Sequence, residues 1–195
     1  MAAMERKVIE FEETNQEFLV RTLQKFGQRL IGLFNRLLDE QIRAIEDTKV
    51  KIKKRKGVIT FMKIFPQFSV TVETMLAGAG DNEVRELING AYGRINKAMF
   101  ESLKVIAKES PVAGVGAATV GDPEDKEALN YHILLIENMN HYIEEVDTRG
   151  NFVLEEWKEK AEAEMSEHMG LYLGAVIRRP LGKLLVSFIF RLDCV

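Results

Sequence analysis

The amino-acid sequence predicts an all-α protein, an elongated rod of about five to six packed helices. Three observations carry that expectation. Apolar residues recur at steps of three and four along most of the chain, no stretch sustains apolar-polar alternation, and only 4 prolines interrupt 195 residues. With 46% hydrophobic and 29% charged residues the chain can build a core, which excludes collagen-like, mucin-like and wholly disordered polypeptides. Its 27 basic and 30 acidic residues leave a net charge of −3. The lone cysteine, Cys194, permits no intrachain disulfide and no cysteine-based zinc site, so an intracellular, reducing compartment is the default expectation. Glu5, Glu10, Glu12 and Glu13 stand where a secretory signal needs an apolar run. The densest apolar stretch, residues 184–190, is far shorter than the roughly 20 residues that cross a bilayer.

A first helix is predicted over residues 14–55, because Leu19, Leu23, Phe26, Leu30, Leu33 and Leu37 recur at steps of four and three. The apolar edge then drifts to Phe34, Leu38, Ile42, Ile45 and Ile52, as in an undistorted helix packed in a bundle. Such a rod is roughly 60 Å long, more than the diameter of a compact domain of this size. Basic residues and then Gly57 end it. The second helix uses Ile59, Met62, Phe65, Phe68, Val72, Met75 and Leu76, and Pro66 should kink or restart it. Gly78 and Gly80 close it, and Asp81 caps a third helix carrying Val84, Leu87, Ile88, Ala91, Ile95, Met99, Leu103 and Ile106.

Residues 111–121, rich in Gly, Ala and Val without period, read as a linker, and Asp122-Pro123 then supplies an N-cap and a first-turn proline. The chain is thus divided into a helical segment 1–109, a linker 110–122 and a second helical segment 123–195 with an atypical tail. The fourth helix carries Leu129, Ile133, Ile136, Met139, Ile143 and Val146. Asn151 is expected to cap a fifth, with Val153, Trp157, Ala161, Met165, Met169, Tyr172 and Val176 inward, ending at Arg179-Pro180 before a short sixth segment.

No cofactor, metal or catalytic site is predicted. Gly114, Gly116 and Gly121 follow a helix rather than a strand and lack the Gly-Lys-Ser/Thr of a phosphate loop. Glu137/His141 and Glu164/His168 sit at helical spacing, but one residue longer than the Glu-x-x-His of carboxylate-bridged metal bundles, and read as surface or boundary pairs. No serine occupies a nucleophile elbow. The unusual charge feature is Lys49, Lys51, Lys53, Lys54, Arg55 and Lys56, a density able to contact anionic phospholipid or an acidic partner at about 1 kcal/mol per residue. The plain alternative is a solvated helix end favoured by the dipole. Aromatic residues do not interleave with these charges, which argues against nucleic acid.

The run Asp39-Glu40-Gln41-Ile42-Arg43-Ala44-Ile45-Glu46-Asp47-Thr48-Lys49-Val50-Lys51-Ile52 leads into the basic cluster, Gly57 and a helix with Phe61, Phe65 and Phe68. This pattern resembles the C-terminal region of the Sec-three subunit of the exocyst. Glu137-Asn138-Met139-Asn140-His141-Tyr142, and the stretch from Trp157 to Pro180-Leu181-Gly182-Lys183-Leu184, are similar to the helices that follow in that family. The resemblance covers Leu19 to Leu185 and implies a non-catalytic subunit of a multisubunit tethering complex, holding secretory vesicles at the plasma membrane. It also implies other exocyst subunits as partners, no small-molecule substrate and a cytoplasmic location peripheral to the plasma membrane. In that family a lipid- and Rho-GTPase-binding module precedes this region and further bundles follow, so the resemblance implies a piece of a longer protein, and from Val186 onward the sequence departs from the family. Two rival readings are a membrane adaptor using the basic cluster and a metal-dependent bundle enzyme.

Overall fold

The computed structural model describes residues 2–13, 16–51, 57–77, 83–108 and 123–192, with side chains placed for 6–13, 16–48, 57–77, 83–108, 129–177 and Leu181. Among these residues the architecture is entirely helical: α1 (Ala2–Glu13), α2 (Glu17–Lys51), α3 (Thr60–Leu76), α4 (Glu83–Lys108), α5 (Pro123–Arg149), a 3-10 turn (Phe152–Leu154) and α6 (Glu155–Leu192). The linker residues 110–122, the glycines Gly78 and Gly80 and the cap Asp81 lie outside the described residues.

Helix α5 is central, packed along α6 and against α3 and α4, while α2 lies on the far side of α4. One core runs through this stack, from Leu38 on α2 through Met62 and Phe65 on α3, Met99 and Leu103 on α4 and Leu135 and Tyr142 on α5 to Ala161 on α6. Phe100 lies at its middle, edge-on to Tyr142 at 5.5 Å and to Trp157 at 5.6 Å between ring centroids. Such pairs add roughly 0.5–1.5 kcal/mol beyond the area they bury.

Four local features differ from the sequence expectations. Residues 2–13 form α1, which no apolar stripe announced. Ala, Met, Glu and Lys are strong helix formers, and Lys7 pairs with Glu10 at 2.6 Å one turn on. Helix α3 continues through Pro66 without restarting, and the proline has no N–H to offer the Met62 carbonyl. Asn151 stands at the N-cap position of the 3-10 turn rather than of α6 and its side chain makes no capping bond; its amide instead donates to the Ser69 hydroxyl at 2.6 Å. Helix α6 continues through Arg179-Pro180 to Leu192 rather than stopping there.

The turn between α5 and α6 is a Schellman motif. The Asn151 N–H reaches the Val146 carbonyl at 3.1 Å and the Gly150 N–H reaches Asp147 at 3.1 Å. Gly150 takes φ +60, a left-handed conformation that costs glycine nothing. The tightness of this turn lays α6 back along α5.

Candidate interaction surface

Of the predicted contact residues Lys49, Lys51, Lys53, Lys54, Arg55 and Lys56, only Lys49 and Lys51 fall on described backbone, in the last turn of α2. The remaining four, and every side chain of the cluster, lie outside the described residues. What the structure does describe is the anchorage just beyond them. Gly57, at φ +84, turns the chain, and Ile59 enters the core with its N–H donating to Asn138 Oδ1 at 2.7 Å. The Asn138 amide in turn donates to the Leu134 carbonyl at 2.8 Å, so a fully buried asparagine on α5 caps α3 from across the bundle.

A second polar chain, buried at its centre, links α4 to α5 and to α3. The Tyr142 hydroxyl donates to Asn96 Oδ1 at 2.7 Å, and the Asn96 amide donates to the Tyr92 carbonyl at 2.9 Å. Tyr92 donates to Glu73 at 3.0 Å, and Glu73 is held by Arg85 at 2.6 Å. Burial pushes both phenols above their ordinary range, for Tyr92 with help from the Glu73 carboxylate, so both stay neutral donors. Sequence reading missed this set because each polar residue sits inside an apolar stripe. The signal was in the motif carried by residues 137–142, whose buried positions are Asn138, Met139 and Tyr142.

The histidines do not pair as their spacing predicted. Among the described residues no hydrogen bond joins Glu137 to His141 or Glu164 to His168. Instead His168, 9% exposed on α6, meets His132 of α5 with their Nδ1 atoms 3.1 Å apart, one ring donating and the other accepting. Burial holds the His132 proton affinity below its ordinary value, and His168 lowers it further. Glu164 is drawn to Lys104 of α4 at 2.6 Å. No cluster of three or more metal-ligating side chains occurs among the described residues. A shallow groove of about 350 Å³ beside the α5–α6 turn is lined by Val70, Thr74, Phe152 and their neighbours. Its two charged residues are already engaged, Glu73 with Arg85 and Arg149 with Glu145.

The prominent surfaces are apolar and helical. On α2 the predicted edge is uncovered: Phe26, Leu33 and Leu37 are each more than half exposed, while Phe34, Leu38, Ile42 and Ile45 make the core contacts. On α6, Ala161 is buried and Trp157 and Met165 pack on the core, whereas Met169 and Val176, expected inward, are exposed, as is Val153 in the 3-10 turn. No helix among the described residues is long and apolar enough to cross a membrane. Exposed apolar helix edges of this kind are surfaces on which other helices can pack.

Comparison with known proteins gives the arrangement its context. The family model described as exocyst complex component Sec3, C-terminal, matches residues 1–190. Exocyst complex component 1 of Mus musculus is 24% identical over 167 residues, covering 86% of this chain and 17% of the mouse protein. The chain therefore spans about a sixth of that curated relative. No solved structure matches it.

Proposed function

Since this chain belongs to the exocyst Sec3 C-terminal family, we propose that it works as a helical scaffold within the exocyst, helping to dock secretory vesicles at the plasma membrane through contacts with other exocyst subunits. Exocyst subunits are non-catalytic components of a tethering complex, and nothing in this reading requires a cofactor or a small-molecule substrate. The observation that carries the proposal is the match over residues 1–190, nearly the whole chain. The physical arrangement supports it. A buried polar network makes the bundle stiff, while apolar edges on α2 and α6 remain available for partners.

Location in the cytoplasm and at sites of polarised secretion belongs to the same proposal. Imaging of the fluorescently tagged chain in secreting cells tests it. Concentration at plasma-membrane sites where vesicles fuse is the expected result, and an even distribution that ignores those sites would count against it.

A further inference from the structure

Leu19, Leu23, Phe26, Leu30, Leu33 and Leu37 follow one another at steps of 4, 3, 4, 3 and 4. That is the a/d register of a coiled-coil seam, a narrow stripe that a partner helix follows by winding gently around α2. All but Leu23 are exposed, from 37% at Leu19 to 55% at Phe26, so the track is open at five of its six positions and without a break from Phe26 to Leu37. The adjoining face of α2 is already used, because Phe34, Leu38 and Ile42 pack into the core beside α4. The opposite margin of the seam is basic. No acidic residue occurs between Glu17 and Asp39, and Lys25, Arg29 and Arg36 lie exposed on this margin. Among the described residues none of the three makes a hydrogen bond or ion pair, whereas Arg21 is engaged by Glu17 and Arg94 by Asp39.

We propose that the seam of α2 is a docking track for an amphipathic helix of another polypeptide, one that carries acidic residues along the flank facing Lys25, Arg29 and Arg36. The inference deepens the scaffold reading and rests on it only for the kind of partner. Charge decides against a second copy of α2. Antiparallel pairing sets the arginine flank against itself, and parallel pairing sets it against Val20, Gly27 and Phe34, which bear no charge. A bilayer is disfavoured by shape. Insertion requires a broad apolar face with basic residues at both margins, and here one margin is closed by the bundle.

The test uses the whole chain and two synthetic helices of about four heptads, both with leucine at a and d, one flanked by glutamate and one by lysine. Fluorescence anisotropy should show the glutamate helix binding at least about tenfold more tightly, less so at high salt. Leu30→Asp with Leu33→Asp should abolish binding without changing the circular-dichroism melt, since both positions are exposed. Arg29→Glu with Arg36→Glu should invert the preference toward the lysine helix, a readout that a merely unfolded variant cannot produce. Equal binding of the two helices would overturn the proposal. So would a concentration-dependent dimer, or attachment to phosphatidylserine vesicles, that is lost in the Leu30→Asp, Leu33→Asp variant. Because no exocyst subunit enters the experiment, its failure leaves the family role standing, and failure of that role leaves this result intact.

Discussion

Asn138 accepts a hydrogen bond at 2.7 Å from the backbone N–H of Ile59, a residue 79 positions earlier in the chain. The contact fixes where α3 begins, because Ile59, its N-cap, has no side chain able to satisfy the free N–H groups of the first turn. It also holds the segment that follows the basic cluster against α5. Asn138→Ala removes the acceptor and leaves that N–H buried, a loss of roughly 1–3 kcal/mol. The melting temperature should therefore drop by about 3–12 °C. Asn140→Ala, at an exposed position two residues on in the same motif, should change it by under about 2 °C, and equal effects at the two sites would refute the capping role.

Tyr142 is fully buried, and its hydroxyl ends on Asn96. Tyr142→Phe keeps the ring against Phe100 but strands the Asn96 oxygen, at a cost of about 1–3 kcal/mol. Burial raises the Tyr142 pKa above its ordinary value of 10.0, so the neutral phenol stabilises the fold below that pH and the benefit is lost as pH rises further. Wild-type stability should fall on the alkaline side of about pH 10 more steeply than that of Tyr142→Phe in denaturant melts. Parallel curves would show that the phenol is not shielded.

At the acidic end the relevant group is His132. Its pKa is depressed below 6.5 by burial and by His168. The folded protein then binds fewer protons than the unfolded chain. Stability from this site is complete above about pH 6.5 and is lost as pH falls through the folded value. His132→Gln should flatten the fall in melting temperature between about pH 7 and about pH 5. An unchanged slope would locate the acid sensitivity elsewhere.

Much of the bundle was legible in the sequence because α4 obeys one period: Val84, Ala91, Ile95, Met99, Leu103 and Ile106, all predicted inward, are buried. Helix α5 was harder. It is packed on several sides, so apolar residues ring it, and the fully buried line passes through Leu135, Asn138, Met139 and Tyr142 rather than through Ile133, Ile136 and Ile143. A period counted on apolar residues alone steps over the asparagine that matters. Conversely, the edge from Leu19 to Leu37 was read correctly as continuous, but no sequence pattern distinguishes a stripe that the chain covers itself from one left open. The His132–His168 contact was invisible because its partners lie on different helices, 36 positions apart.

The basic cluster separates scaffold from membrane adaptor. Replacing Lys51, Lys53, Lys54 and Lys56 by glutamate shifts local charge by about eight units, enough to abolish electrostatic attachment to an anionic surface. For a scaffold, wild type and variant should sediment alike with phosphoinositide vesicles, both weakly. Strong, salt-sensitive binding of the wild type alone would make this cluster a membrane contact.

Affinity capture of the tagged chain from secreting cells, with the bound proteins identified by mass spectrometry, addresses the exocyst role most directly. The scaffold account predicts that exocyst subunits are recovered together and that replacing His132, His141 and His168 with glutamine leaves their recovery unchanged in any variant that keeps its helicity. Recovery of no exocyst subunit by a folded, helical chain would contradict it.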